Sequence, residues 1–369
     1  MSGEMNKSLP EGWRWVKLGE VCELYQPQTI SFEEMVKNPG SYPVFGANGL
    51  IGTYFKFNHV DPEILITCRG ATCGTINISP PHCWVTGNAM VARPIGEAIL
   101  HKEYLFWSLH GSDLSGAIAG AAQPQITRQS LAPIEIPLPP LPEQKRIAAI
   151  LNEKMAAVEK ARAAAEAQLE AAIKLQYAYV QETLKYQLKS YSVGDCFTEV
   201  STGIGSTWSE YPLLGATRFG LAPAKEPVGS RPERYKLADI GTIFYNPMRI
   251  LIGSIALVDV GDRVGITSPD YVVIKAKEGI LHYRWFYYWF RSSHGERFIK
   301  SLARGAVRER ILFNRLIQGS IDLPPYESQC IAAENIAKIR PLLMGIEEKL
   351  NHINALPAAI LHKAFSGGF

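Results

Sequence analysis

Asp322-Leu323-Pro324-Pro325-Tyr326 is the stretch of this chain that comes nearest to a catalytic signature. An enzyme that methylates an exocyclic amine needs Asp or Asn directly before Pro-Pro-Tyr or Pro-Pro-Phe, to hold the amine of a flipped base. Leu323 stands at that place here, and Asn246-Pro247-Met248 fails as well. The string reads instead as a Pro-Pro entry into a helix. Gly203-Ile204-Gly205 and Gly46-Ala47-Asn48-Gly49 are too sparse for a nucleotide or methyl-donor loop, and there is no Walker loop. Pro269-Asp270 followed by Lys275-Ala276-Lys277 lacks the acid two residues before a lysine that a nuclease core of that pattern needs. Cys68, Cys73 and Cys83, with His82 beside the last, invite a metal site, yet no Cys-x-x-Cys pair supports it. The six cysteines read as reduced thiols, and the eight histidines have no metal-ligand spacing. Neither a catalytic residue nor a metal ligand is therefore expected.

Charge points elsewhere. The 369 residues carry a net charge of only +3, but the window Leu281–Gln318 holds eight Lys and Arg against two Glu. A local excess of this kind is what a phosphate-binding surface requires, although a solvated helix face rich in Arg gives the same count. No run of about 18 apolar residues is present, and the N-terminus is polar rather than signal-like, so a cytoplasmic protein is expected, with no part in a membrane.

The elements that would position such side chains are duplicated. Tyr42-Pro-Val-Phe-Gly-Ala-Asn48 returns as Tyr211-Pro-Leu-Leu-Gly-Ala-Thr217, and Ile136-Pro-Leu-Pro-Pro-Leu-Pro-Glu-Gln144 returns as Ile321-Asp-Leu-Pro-Pro-Tyr-Glu-Ser-Gln329. Each Pro-rich segment opens a long helical pattern. From about Glu143 to Leu188 an apolar stripe runs through Ile147, Leu151, Met155, Val158, Ala165, Leu169, Ile173, Val180 and Leu184. From about Glu327 to Phe365 the spacing is a near-strict heptad through Ile336, Ile339, Leu343, Ile346, Leu350, Ile353 and Ile360, with Pro357 on the seam. Pro341 and Pro357 are expected to kink or divide this second helix. The stripes suit antiparallel pairing of the two helices, or of each with another protein. Short strand patterns such as Glu63–Thr67, Thr75–Ile78, Thr242–Tyr245 and Tyr271–Lys275 lie outside the helices. The expected fold is α+β: two mixed α/β recognition domains, 1–141 and 189–324, joined by two long antiparallel coiled-coil helices, 142–188 and 325–369. The duplication implies a pseudo-two-fold repeat.

With Leu138-Pro-Pro-Leu-Pro-Glu-Gln-Lys-Arg-Ile-Ala148 and Leu323-Pro-Pro325 to His362-Lys-Ala-Phe-Ser-Gly367 in place, the chain resembles the type I restriction–modification DNA specificity subunits over nearly its whole length. Ile64-Leu-Ile-Thr-Cys-Arg-Gly70, Thr86-Gly-Asn-Ala-Met-Val-Ala92, Tyr245-Asn-Pro-Met-Arg249, Gly253-Ser254 and Ser268-Pro-Asp-Tyr-Val-Val273 carry the likeness in the domains. Tyr326-Glu-Ser-Gln329 departs from the usual residues before Gln. The resemblance implies a non-catalytic DNA-binding subunit, each domain reading one part of a split asymmetric site in double-stranded DNA, with the helices fixing the gap. It implies two methyltransferase subunits docked on the helices and restriction subunits beyond them. Those partners, not this chain, would use S-adenosylmethionine, ATP and Mg2+. Base edges are read best by Arg on guanine and by Asn or Gln on adenine. On that chemistry, and on position in turns, the DNA-contact candidates are Asn48, Thr67, Arg69, Asn88, Gln123, Gln125 and Arg128 in the first half. In the second they are Arg218, Asn246, Arg249, Arg304, Arg308 and Arg310. A stand-alone modification or restriction enzyme, and a coiled-coil scaffold without DNA binding, are the rival readings.

Overall fold

The computed structural model describes residues 9–46, 48–120, 123–303 and 310–369. The chain divides into two units, one made of 1–164 with 350–369 and the other of 165–349. In the first, an antiparallel four-stranded sheet has the order Cys22–Tyr25, Ala89–Pro94, Ile64–Thr67, Ile76–Ile78. Strand residues alternate between faces, and here both faces are covered. Ile64 and Ile66 enter a core with Leu24, Met90, Tyr104 and Leu105, while Leu65 enters another with Phe45, Val85 and Val91. That is why the run Ile64-Leu-Ile66 is apolar without a break. The second unit repeats the plan with Phe197–Glu199, Val272–Ala276, Thr242–Tyr245 and Ile255–Leu257. Ile243 and Tyr245 face one core and Phe244 the other. In each unit a separate strand pair closes the domain just before a long helix: Arg14–Lys17 with Glu135–Leu138, and Lys189–Ser192 with Ser320–Leu323.

The repeated Pro-rich segment ends in a glutamine, and the structure gives the reason. Gln144 is buried; its Nε2 donates to Ile99 O at 3.0 Å and Pro139 O at 2.9 Å, and its Oε1 accepts from His101 N at 2.8 Å. Gln329 makes the same three bonds, donating to Ile280 O and Pro324 O and accepting from His282 N. Both caps tie the first turn of a long helix to main-chain groups of the domain that the helix leaves. Gln144→Ala strands one buried N–H and two carbonyls, so we predict a loss of about 3 kcal/mol in stability. Denaturant unfolding of the full chain measures it, and a change within a few tenths of wild type would show that the clamp is idle. Gln329→Ala is expected to do the same.

The long helices run Leu141–Thr183 and Tyr326–Phe365. Ile147, Ala148, Leu151 and Met155 share a core with Leu361 and Ala364 in the first unit. Val180 shares one with Ala332 and Ile336 in the second. The start of each helix thus packs in the same unit as the end of the other, which makes them antiparallel. Division of the second helix, one of the two expected effects of its prolines, and one position of the first helix's stripe need correction. The second helix passes through Pro341 and Pro357 undivided. Each proline costs one hydrogen bond and about 3 kcal/mol. Burying Ile339, Ile346 and Ile353 along the seam returns roughly 1.5–3 kcal/mol apiece. On the first helix Ile173 is 41% exposed, and Ala172 is buried in its place. The buried and half-buried positions Leu151, Met155, Val158, Arg162, Ala165, Leu169, Ala172 and Gln176 step by four and three in turn. A seam of that period drifts off a stripe assigned by hydrophobicity alone.

Candidate nucleic-acid interface

Three segments of the first unit meet where the strand Ile64–Thr67 ends. Thr67 N–H bonds Thr75 O and Gly74 N–H bonds Thr67 O, each at 2.9 Å, closing the loop 68–73. Cys68 N–H reaches Asn88 O at 2.9 Å, and Cys68 O accepts from Ile126 N–H at 2.9 Å. Arg69 bridges Gln125, and Gly70 N–H reaches Pro124 O. These main-chain bonds bring Arg69, Asn88, Gln123 and Gln125 into one loop cluster, with Arg69 and Gln123 exposed and the other two half-buried. Arg128 is exposed in the first turn of Arg128–Leu131, which Thr127 caps through Ser130 N–H. Asn48 is exposed in the turn before Leu50–Tyr54 and accepts from Asn77 Nδ2 at 2.8 Å. Thr67 departs from expectation. It is fully buried at the strand end, so it shapes the loop through its backbone and does not present its hydroxyl at the surface. Burial raises the pKa of the Cys68 and Cys73 thiols, which keeps this loop's sulfurs neutral.

The second unit builds its counterpart the same way. Asn246 N–H bonds Ser254 O at 3.2 Å, as Thr67 N–H bonds Thr75 O. Ile311 N–H bonds Pro247 O at 3.1 Å, as Ile126 N–H bonds Cys68 O, and this brings the exposed Arg310 beside the turn. Asn246 Oδ1 accepts from Met248 N–H at 3.0 Å, so that oxygen stabilises the turn. Arg249 is exposed at the head of the short 3-10 helix Ile250–Ile252, and Arg218 is exposed on the hairpin between Leu214–Thr217 and Gly220–Pro223. Arg304 and Arg308 lie outside the described residues.

The basic window is more committed than its charge suggests. Arg284 is buried against Asp259, with Nε donating to Oδ2 at 2.7 Å and Nη1 to Ala333 O at 3.2 Å. Arg315 donates to Leu302 O and to Gln318 Oε1. Lys300 pairs with Glu296 at 2.6 Å. Arg291 donates to Gly253 O at 3.2 Å, Ile255 O at 2.8 Å and Arg218 O. Arg284, Arg291 and Arg315 are committed to acceptors of their own domain, whereas Lys300, in an exposed pair of little worth, and Arg297 and Arg310 remain at the surface. Sequence reasoning missed Arg291 as the residue that ties the Arg218 hairpin to the Asn246–Ser254 turn. Its three acceptors are carbonyls, which leave no mark in a sequence.

Each unit therefore offers guanidinium and amide groups on loops pinned to the end of a packed sheet. Such groups suit base edges and phosphate oxygens. Among the described residues, no cluster of His, Cys, Asp and Glu is arranged to hold a metal. No described helix is long and apolar enough to cross a membrane.

A duplicated α+β domain on paired long helices, with a polar loop cluster in each copy, defines a class of protein. Residues 10–171 match the type I restriction modification DNA specificity domain. The EcoprrI specificity subunit of Escherichia coli is 27% identical over 139 residues, 37% of this chain and 34% of that protein. The first curated relatives are matched over only about a third of their length. A chain of Haemophilus influenzae assigned to the same subunits is 21% identical over 355 residues, 91% of this chain and 90% of that one. The crystal structure of a type I restriction-modification S subunit from M. genitalium superposes with a TM-score of 0.57 at 14% identity, covering 99% and 98% of the two chains. The chain is thus similar to type I restriction–modification specificity subunits, in sequence most clearly over residues 10–171 and in fold over nearly its whole length.

Proposed function

We propose that this chain is the non-catalytic DNA reader of a type I restriction–modification complex. Each unit reads one part of a split asymmetric site in double-stranded DNA, and the helices set the gap between the parts. Methyltransferase subunits dock on the helices and modify an adenine in each part with S-adenosylmethionine that they bind. Restriction subunits supply ATP- and Mg2+-dependent work. The observation that carries this reading is the matched pair of loop clusters, built by equivalent main-chain bonds at Thr67 and Asn246 and at Ile126 and Ile311. Reading a two-part site needs two such surfaces with different side chains, and the first sets Arg69 among Asn88, Gln123 and Gln125 where the second sets Arg218, Arg249 and Arg310 around Asn246.

Methyl transfer to DNA is the direct assay. The reading expects none from the purified chain alone and site-specific transfer once a methyltransferase partner is added; transfer by the chain alone overturns it. Phosphate binding is tested separately. Arg218→Glu with Arg249→Glu should weaken binding by the assembled methyltransferase and flatten its salt dependence, by roughly one unit of slope for each phosphate no longer neutralised. An unchanged slope would place both arginines away from the backbone.

A further inference from the structure

Phe219 is the most exposed large apolar residue among those described, at 81%, and it stands at the tip of a hairpin whose backbone is fixed on every side. Thr217 Oγ1 accepts from Phe219 N–H at 3.1 Å and donates to Gly220 O at 3.1 Å. Gly220 sits at φ +113, and a Cβ there would meet Tyr287 Oη at 2.8 Å, so the turn needs glycine. Arg291 holds Arg218 O, and Ser254 Oγ donates to Ala216 O at 2.8 Å. The Arg218 guanidinium lies over the Phe219 ring, 4.6 Å from its centre. A single exposed apolar side chain needs no explanation. One mounted on a rigid tip has already met the ordering cost that binding otherwise imposes. The first unit carries an apolar side chain at the matching sequence position, although its hairpin pairs in another register and Leu50 there opens a strand opposite Phe45. The repeat that aligns Asn48 with Thr217 aligns Leu50 with Phe219, and Leu50 is 63% exposed.

We infer that Phe219, and Leu50 in the first unit, read thymine by apolar contact with its C5-methyl group in the major groove. The inference rests on the DNA-reading function proposed above. DNA is the occupant because the exposed arginines Arg218 and Arg249 share the two turns that Arg291 ties together, and they complement a polyanion. Thymine is the base because Phe and Leu share apolar bulk and not aromaticity. The C5-methyl is the apolar group that the major groove displays.

The test uses the full chain in complex with its methyltransferase and DNA carrying the mapped site. Phe219→Ala should lower affinity for that site by something on the order of tenfold, with affinity for random DNA unchanged. Replacing thymine by uracil in the second half-site removes only the methyl group. It should weaken binding by the unsubstituted chain and cost Phe219→Ala nothing further, and Phe219→Leu should retain most of the discrimination. Equal losses on cognate and random DNA would overturn the inference, as would a uracil penalty that persists in Phe219→Ala. If the unsubstituted complex does not distinguish the mapped site from random DNA, the proposed function itself has failed, a result separable from either of those.

Discussion

Exchanging residues 1–141 for the same segment of a relative with a different target should change one half of the recognised site completely and leave the other half as it was. The structure makes the graft sound. Gln144 binds its domain through Ile99 O, Pro139 O and His101 N, which are main-chain groups that a domain of another sequence offers equally. Among the described residues, the cores around Ile243 and Phe244 in the second unit are built from Val180 onward. Sequencing of methylated DNA from cells carrying the chimera reads out both halves at once. A simultaneous change in both would mean that the units do not read independently.

Lengthening both long helices should lengthen the gap between the half-sites. Four residues inserted after Ala164 and four after Lys349, where the chain passes from one unit to the other, add roughly 6 Å at about 1.5 Å per residue. Four residues are close to one turn, so the seam through Ala165 and Ala172, and through Ile346 and Ile353, keeps nearly the same facing. DNA rises about 34–36 Å per turn of about 10–10.5 base pairs, so 6 Å corresponds to one or two base pairs. The preferred gap should grow by that amount, with some loss of affinity from the small rotation, while both half-site sequences persist. An unchanged gap with altered half-sites would mean that the helices are not the ruler.

The parts of this fold that were legible in the sequence are those governed by period and repetition. The heptad from Ile336 to Ile353 appears as a seam because burial on one helix face leaves its spacing in the chain. Ile173 misled because a large apolar residue outweighs an alanine on any hydrophobicity count, whereas the seam selects by angle. The prolines do not divide the helix because local propensity is outweighed by the packing on either side of them. Interactions that end on carbonyls were invisible. Gln144 and Gln329 were visible as a repeat, but two of the three partners of each lie in another segment, 43 to 49 residues away. Arg284, Arg291 and Arg315 counted as a basic face until Asp259 and the carbonyls of Gly253, Ile255 and Leu302 took their place beside them. Phe219 left only a weak trace, an apolar residue at a turn where Gly, Asn or Asp is the usual choice.

The most direct test of the central claim is the map of methylated adenines in cells that carry this chain with its methyltransferase, compared with cells from which this chain alone is deleted. The account predicts a two-part motif, with one modified adenine in each part and a gap of constant length and free sequence, that disappears on deletion. Methylation that persists at the same sites without this chain, or a motif that is one contiguous block, would contradict it.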